Sequence, residues 1–194
     1  EQLASRIDIK GLRVLELGCL EGNHSAMLHS LGAREVISIE GRPDNFLKCL
    51  VVKNAFALDR CQFLCGDLNK ILPMLPGEFD LCLAMGILYH LQDPVSVIYK
   101  ISELAGSLFA WSHYSTPEYP PGPIVEIKHG GRSYRGKYVG EDIRQYSSSL
   151  HESSFWLLEE DFLSVAQDAG FKNTELISKE SHGHGPAFTI FAKK

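Results

Sequence analysis

VLELGCLEG, residues 14–22, is the stretch that decides the fold. It is a short apolar run that carries one acid, Glu16, and it is followed by two glycines, Gly18 and Gly22. Residues 24–31 then predict a helix. A strand, a tight glycine turn and a helix in this order place a nucleotide-like ligand against the helix N-terminus. Gly18 allows the backbone to turn sharply and a ligand to come close, because a Cβ at this position would clash.

The spacing of the glycines discriminates between ligands. Dinucleotide sites use G-x-G-x-x-G around a pyrophosphate, whereas this loop has G-x-x-x-G, with Leu20 at the place of the second glycine. A carboxylate two residues before Gly18 would repel a pyrophosphate but suits a cation. An ordinary strand-to-helix turn of an α/β protein is the alternative.

An acid, any residue, a glycine, three residues and a second glycine form the first motif of the class I S-adenosylmethionine (SAM)-dependent methyltransferases, which this stretch resembles. SAM carries an amino group and a sulfonium, so an acid fits beside it. The resemblance implies SAM as the cofactor. It also implies that the loop seats the methionine end of SAM through Glu16, Gly18, Cys19 and Gly22.

The order of elements along the chain predicts the fold class. Apolar strands alternate with helices and are predicted at residues 12–17, 35–40, 61–65, 79–85 and 107–112. This alternation predicts a parallel sheet with right-handed crossovers. Two final strands, 171–177 and 187–192, have no helix between them, so they pair antiparallel or lie apart.

A parallel sheet completed by a reversed strand next to the fifth is the arrangement of the SAM methyltransferase family. We therefore predict an α/β, Rossmann-like, mostly parallel seven-stranded sheet with an antiparallel last strand and helices on both faces. The 194 residues fit one domain, 1–194.

Two acids follow strands at places where a nucleoside would be held. Glu40 lies about twenty residues after the first glycine, where an acid accepts hydrogen bonds from ribose hydroxyls; a solvated acid at a strand end is the alternative. Asp67 follows the third strand, where the family holds the adenine amino group; the alternative is an N-cap for the helix at 69–74. The same cofactor site is predicted to include Gly41, Leu68 and Met85.

MGILYHLQDP, residues 85–94, is similar to the GxLYHxxxP string of small-molecule methyltransferases and of the tRNA wobble-uridine carboxymethyltransferases. The resemblance implies that Tyr89 and His90 face the acceptor, and His113 and Tyr114 at the end of the fifth strand would face the same crevice. We expect Tyr89, His90 and His113 to orient or deprotonate the acceptor. Packing of Tyr89 and His90 against the fourth helix is the alternative.

The carboxymethyltransferases need cationic partners for the carboxylate of their SAM-derived donor. This sequence matches their catalytic core only, so we expect ordinary SAM as the donor.

Residues 114–155 do not continue the alternation of predicted strands and helices. A proline-rich connector precedes two predicted strands around Gly130-Gly131, which is a hairpin signal. The insertion follows a strand whose end faces the crevice, so we expect it to form a lid. SFWLLEEDF, from Ser154, resembles the start of the last helix in the small-molecule group. The expected substrate contacts are Tyr134, Arg135, Tyr138 and Trp156.

Charge, cysteine content and histidine placement restrict the kinds of ligand and the cellular compartment that we expect for this chain. The insertion is locally basic, which favours an anionic or aromatic acceptor, since Arg pairs with carboxylate or phosphate; a hairpin that uses charge to stay soluble is the alternative. The net charge of -5 argues against broad nucleic-acid binding. The five cysteines favour a reducing cytosol over disulfides, and no apolar run is long enough to span a bilayer. His182 and His184 lack a carboxylate or Cys partner nearby, so we expect no metal.

The predicted function is transfer of a methyl group from SAM to an oxygen or nitrogen of a small molecule, with anionic and aromatic acceptors both considered. Two alternatives stay open: a tRNA base-modifying (carboxy)methyltransferase core, and a SAM-binding module without catalysis.

Overall fold

The structure, a computed structural model, describes residues 2–194 apart from the side chain of His182. Across these residues the elements follow one another in this order: β1 (Arg13–Leu17), α1 (Asn23–Ser30), β2 (Glu35–Glu40), α2 (Pro43–Ala55), β3 (Cys61–Cys65), α3 (Leu68–Ile71), β4 (Leu81–Met85), α4 (Pro94–Leu104), β5 (Ser107–His113), β6 (Val125–His129), β7 (Arg132–Gly140), β8 (Ser153–Leu157), α5 (Glu159–Asp168), β9 (Asn173–His182) and β10 (Gly185–Lys193). Short 3-10 turns lie at Leu72–Met74 and Leu88–His90.

Seven strands form the main sheet in the order β3-β2-β1-β4-β5-β10-β9. Strands β1 to β5 are parallel, and β10 is antiparallel to both of its neighbours. The predicted fold is confirmed, and the reversed strand, last in sequence, lies inside the sheet between β5 and β9. The carboxyl ends of β1 to β5 therefore meet at one edge, where α/β sheets bind their ligands.

Helices cover both faces of the sheet, because successive side chains of a strand point to opposite faces. Leu15 and Leu17 of β1 join the apolar cluster that includes residues of α4 and α5. Val14 joins the second cluster, with Leu28 of α1 and Cys49 of α2. None of the described helices is long and apolar enough to cross a membrane.

The insertion forms a separate three-stranded antiparallel sheet, β6-β7-β8. Its hairpin packs on α4 and α5, where the Tyr134 hydroxyl lies 2.9 Å from the hydroxyl of Tyr99 and donates to Asp168 at 2.9 Å. The segment from Ser154, which resembles the start of the last helix in the small-molecule group, first forms β8 by pairing with β7, and α5 then begins within it at Glu159. The part of the insertion that reaches the sheet edge is the loop 139–151, called the cover loop below.

Two local features precede the first helix. Residues 2–6 form turns. Gly22, with a φ of 82°, occupies the N-cap of α1. A left-handed φ is a conformation that favours glycine, so the second glycine of the loop serves the turn itself.

Helix α2 faces inward with polar and thiol side chains. Its buried residues are Asn45 and Cys49, while Leu50 and, at the helix end, Phe56 are exposed. The amide of Asn45 donates to the carbonyl of Tyr146 in the cover loop at 2.7 Å. The inner face of α2 therefore makes a polar contact with the cover loop through Asn45.

Candidate active site

The edge formed by the strand carboxyl ends carries two adjoining cavities. The larger has a volume of about 590 Å³, within the ~300–1,000 Å³ usual for small-molecule sites. It brings together these predicted residues: Gly18, Glu40, Met85, Tyr89, His90, His113 and Trp156. The smaller, of about 60 Å³, is lined by Gly41, Asp67 and Leu68 and shares Gly18 and His90 with the larger.

Six predicted site residues lie outside both cavities: Glu16, Cys19, Gly22, Tyr134, Arg135 and Tyr138. Glu16 lies near the end of β1, and Cys19 and Gly22 belong to the glycine loop, residues 18–22, that follows it. The other three belong to β7 and face α5 or solvent. The first three residues and the last three lie outside the cavities for different physical reasons.

Glu16 is buried beneath the glycine loop. Its Oε2 accepts hydrogen bonds from the hydroxyls of Ser25 and Ser38, the latter at 2.8 Å. Burial raises the pKa of Glu16 to about 7, although both hydroxyls act to lower it. The expectation that it faces the ligand is therefore corrected, since it ties β1 to α1 and β2.

Cys19 and Gly22 shape the same loop without lining the cavities. Cys19 lies under it, with its Sγ 3.7 Å from the Sγ of Cys49 on α2. Both thiols are buried. Gly18 does line the cavities, and a Cβ there would meet the side chain of Ile87 at 2.9 Å. Glycine is therefore needed at this position.

The three misplaced residues of β7 are held by α5 or by β8. Arg135 donates to Asp161 at 2.9 Å and also pairs with Glu160. Tyr134 is buried between α4 and α5, and Tyr138 is mostly exposed beside Phe155. Tyr114, expected at the crevice, stacks on Phe188 in the core instead. Side-chain direction in this segment depends on which helices it covers, which the sequence pattern does not reveal.

Glu40 presents a fixed carboxylate to the larger cavity. Its Oε2 accepts from the backbone N–H of Leu20 at 2.8 Å, and its Oε1 accepts from that of Arg42 at 2.9 Å. Burial raises the pKa of Glu40, and these two hydrogen bonds oppose the rise. A carboxylate has about four acceptor positions, so this side chain can still receive ligand hydroxyls.

Asp67 is the N-cap of α3 and also lines a cavity, and its role toward adenine stays a prediction. Its Oδ1 accepts from the backbone N–H of Asn69 at 2.9 Å, which makes it the N-cap of α3. It also lines the smaller cavity beside Leu68 and Gly41. The capping contact uses one oxygen and holds the carboxyl group in place.

Tyr89 lies at the centre of an aromatic group. Its ring centroid is 4.1 Å from that of His90, 4.7 Å from that of His113 and 5.7 Å from that of Trp156. Burial, with the charge of Glu141 adding to it, raises the pKa of Tyr89 to about 12. At neutral pH this phenol is therefore a hydrogen-bond donor and not a base.

His113 and Trp156 stack face to face, with centroids 4.9 Å apart and planes 5° from parallel. The Nδ1 of His113 lies 3.0 Å from the carbonyl oxygen of Pro186. Because a carbonyl only accepts, the proton of a neutral ring is on Nδ1 and Nε2 is the basic nitrogen.

Glu141 of the cover loop is the main residue that the sequence reading missed. Its Oε1 lies 2.8 Å from the Nδ1 of His90, and its Oε2 accepts from the hydroxyl of Ser148 at 2.7 Å. Burial acts to raise the pKa of Glu141, but the hydrogen bond and charge of His90 outweigh it and lower the pKa to about 2. The ionised carboxylate fixes the imidazole, with Nδ1 as the donor and Nε2 as the proton-accepting nitrogen.

Arg42, two residues after Glu40, fastens the cover loop. Its guanidinium donates to the carbonyls of Ile143, Ser148 and Ser149 at 3.0, 3.1 and 2.6 Å. The same residue donates its backbone N–H to Glu40. Arg42 therefore contacts both the Glu40 carboxylate at the cavity wall and the cover loop.

These features define a class of protein, an α/β domain with a mainly parallel sheet and two adjoining cavities at the strand carboxyl ends. The Methyltransferase domain family matches residues 8–143. The chain belongs to this family, so the predicted family is confirmed. Solved structures of the same fold include one with S-adenosylhomocysteine bound, and SAM as the cofactor of this chain is part of the proposal made below.

Curated relatives match the chain over part of their own length. The tRNA U34 carboxymethyltransferase of Alcanivorax borkumensis is 31% identical over 102 residues, which cover 53% of this chain and 30% of the relative. The ubiquinone biosynthesis O-methyltransferase of Xanthomonas campestris pv. campestris is 28% identical over 120 residues, covering 60% of this chain and 49% of the relative. The chain thus spans half or less of either relative.

Solved structures share the fold. The N-terminal domain of EvdMO1, crystallised in the presence of S-adenosylhomocysteine (SAH) and D-fucose, superposes with a TM-score of 0.81 at 21% identity, over 94% of this chain and 76% of that one. A SAM-dependent methyltransferase from Mesorhizobium loti gives 0.70 at 15% identity, over 100% and 95% of the two chains.

The residues present fit SAM. Glu40 offers a fixed carboxylate for hydroxyls, and Asp67 with Leu68 lines a second, apolar-walled cavity beside it. The acids at the larger cavity also suit a ligand with a positive charge. Among the described residues, no group of three or more His, Cys, Asp or Glu is placed to hold a metal ion.

Proposed function

We propose that residues 1–194 act as one domain that transfers a methyl group from SAM to an oxygen or nitrogen of a small molecule. The observation that carries the proposal is that Glu40 and His90 line the same cavity. A nucleoside-holding carboxylate and a proton-accepting imidazole therefore face one space. Because the chain spans only part of its curated relatives, its activity and acceptor are proposals of this article.

The residues divide the work between holding and proton transfer. SAM supplies an electrophilic methyl group when bound, and Glu40 and Asp67 hold its nucleoside. His90 takes the proton of the acceptor through Nε2 while Glu141 keeps the ring in place. Tyr89 donates a hydrogen bond at the reacting end. The cover loop excludes water and keeps donor and acceptor aligned.

Calorimetry with SAM and SAH, followed by transfer of a radiolabelled methyl group to a panel of acceptors, tests the proposal. We expect both ligands to bind and at least one hydroxyl or amino compound to gain label. An absence of heat from both ligands, with folded protein, contradicts the proposal. Binding of SAM without transfer to any acceptor supports a SAM-binding module without catalysis.

Modification of a tRNA base is the second candidate. It is favoured by the similarity to the tRNA U34 carboxymethyltransferase of Alcanivorax borkumensis. It predicts RNA binding that weakens steeply with salt, since each phosphate contact releases counterions. The net charge of -5 does not favour such contacts, so a salt-independent or undetectable interaction with tRNA supports the small-molecule proposal.

A further inference from the structure

The charges around the larger cavity bear on the kind of acceptor it takes. Its described lining includes three carboxylates, those of Glu40, Glu141 and Asp142, and no lysine or arginine. Glu141 is bonded to His90 and Asp142 is paired with Arg144, but the described lining offers no lysine or arginine to a bound anion. A carboxylate or phosphate brought into this space would lose hydration beside these acids. An anionic acceptor is therefore disfavoured on electrostatic grounds.

The basic residues of the insertion are held elsewhere. Arg132, Arg135 and Arg144 each pair with acids of their own surroundings. The acids are, in that order, Asp168, Glu160 with Asp161, and Asp142. Lys137 is buried, and its Nζ donates to the carbonyls of Pro117 and Pro120, both at 2.8 Å. Lys128 is exposed and lines neither cavity. The basic side chains that favoured an anionic acceptor in the sequence therefore lie outside the lining of the larger cavity.

Trp156 adds a directional contact. It lines the cavity and is 7% exposed, and its indole Nε1 has no hydrogen-bond partner among the described residues. A buried donor left unpaired is unfavourable. Because the nitrogen itself is covered, a small shift of the indole would bring it to an oxygen of a bound acceptor and satisfy it. The ring also lies near Tyr119, with centroids 6.3 Å apart, in a wall suited to the faces of flat or ring-shaped molecules.

We propose that the acceptor is an uncharged, hydroxylated ring compound that packs against Trp156 and Tyr119 and accepts a hydrogen bond from the Trp156 indole. The inference rests on the proposed function and narrows its substrate class. A hydroxyl of the same ring is the group whose proton passes to His90. Sugars and phenols share this chemistry, and the experiment below separates them.

Binding of two matched pairs to the SAH-saturated protein tests the proposal. D-galactose and D-galacturonate differ in one carboxylate, and so do catechol and protocatechuate. We expect the neutral member of one pair to bind at least tenfold more tightly than its anionic partner in calorimetric titration, and the responding pair identifies a sugar or a phenol. Equal or tighter binding of an anionic member overturns the proposal, and so does the absence of binding by all four compounds.

Trp156→Phe keeps the aromatic face and removes the N–H. We expect the affinity for the neutral compound to fall about tenfold, as for one lost hydrogen bond, while the affinity for SAH stays unchanged. Unchanged binding of the neutral compound overturns the role given to the indole. Failure of the proposed function is distinguishable, because SAH itself would then produce no heat in the same titration series.

Discussion

The Oε1 of Glu141 lies 2.8 Å from the Nδ1 of His90, across 51 residues of sequence. One partner follows β4 and the other belongs to the cover loop, so the orientation of the proposed base depends on a loop of the insertion. Glu141 is in this sense a positioning residue, since it acts on the acceptor through His90. The orientation of His90 for proton transfer therefore depends on the position of the cover loop over the cavity.

Glu141→Gln should therefore separate catalysis from cofactor binding. The amide keeps the size of the side chain but removes the charge that fixes the imidazole. We expect kcat to fall about 10- to 100-fold, at the lower end of what positioned acid–base groups contribute, while the Kd of SAM changes little. Steady-state kinetics with calorimetry measure both quantities.

Glu152→Gln is the matched control, since Glu152 is exposed and lies outside both cavities. Its kcat should equal that of the unchanged protein. Equal activities for Glu141→Gln and Glu152→Gln would contradict the positioning role.

The Glu141 carboxylate should also make the free energy of unfolding depend on pH in the acid range. Its pKa is lowered from an ordinary 4.5 to about 2, so between these values the unfolded state binds more protons than the folded state. The stabilisation is complete above pH 4.5 and is lost as the pH falls toward 2, with a total on the order of 2–3 kcal/mol.

Urea unfolding at several pH values between 6 and about 3 measures this effect. We expect the gap in the free energy of unfolding between the unchanged protein and Glu141→Gln to shrink as the pH falls. A gap that stays constant over this range would mean that the carboxylate is not stabilised by His90.

Arg42→Ala should release the cover loop. The substitution removes three hydrogen bonds to loop carbonyls, and each hydrogen bond from a charged donor contributes roughly 1.5–3 kcal/mol. We expect faster amide hydrogen exchange across residues 142–150 and weaker binding of SAM. Hydrogen-exchange mass spectrometry and calorimetry provide the two measurements.

Arg144→Ala is the matched control for that experiment. The Arg144 side chain is 87% exposed and bonds to Asp142 at the surface. Its removal should leave SAM affinity unaltered. If both arginine variants gave the same exchange pattern as the unchanged protein, the proposed fastening of the loop would be wrong.

The main sheet was predictable because its signals are local. Apolar runs such as residues 35–40, bounded by turn residues, indicate buried strands whatever the rest of the chain does. Gly18 and Glu40 could be selected for the same reason, since each follows an apolar strand. Both line the larger cavity, and their roles toward SAM stay predictions.

The insertion was less predictable because its contacts are distant in sequence. Tyr134 and Arg135 look exposed in a basic hairpin, yet α4 and α5 cover or pair with them. Glu141 lies in a polar stretch typical of a solvated turn, and only the fold brings it to His90. Part-buried hydrogen bonds between residues so far apart in sequence leave no periodic pattern.

The most direct test of the account is calorimetric titration of SAM and SAH into Glu40→Gln, with Asp44→Asn on the exposed surface of α2 as the control. The account predicts that Glu40→Gln weakens both ligands alike, by about 10- to 100-fold for charge-assisted hydrogen bonds, and that Asp44→Asn binds both normally. A folded Glu40→Gln protein that binds SAM and SAH as tightly as the unchanged chain would contradict the placement of the cofactor in this cavity.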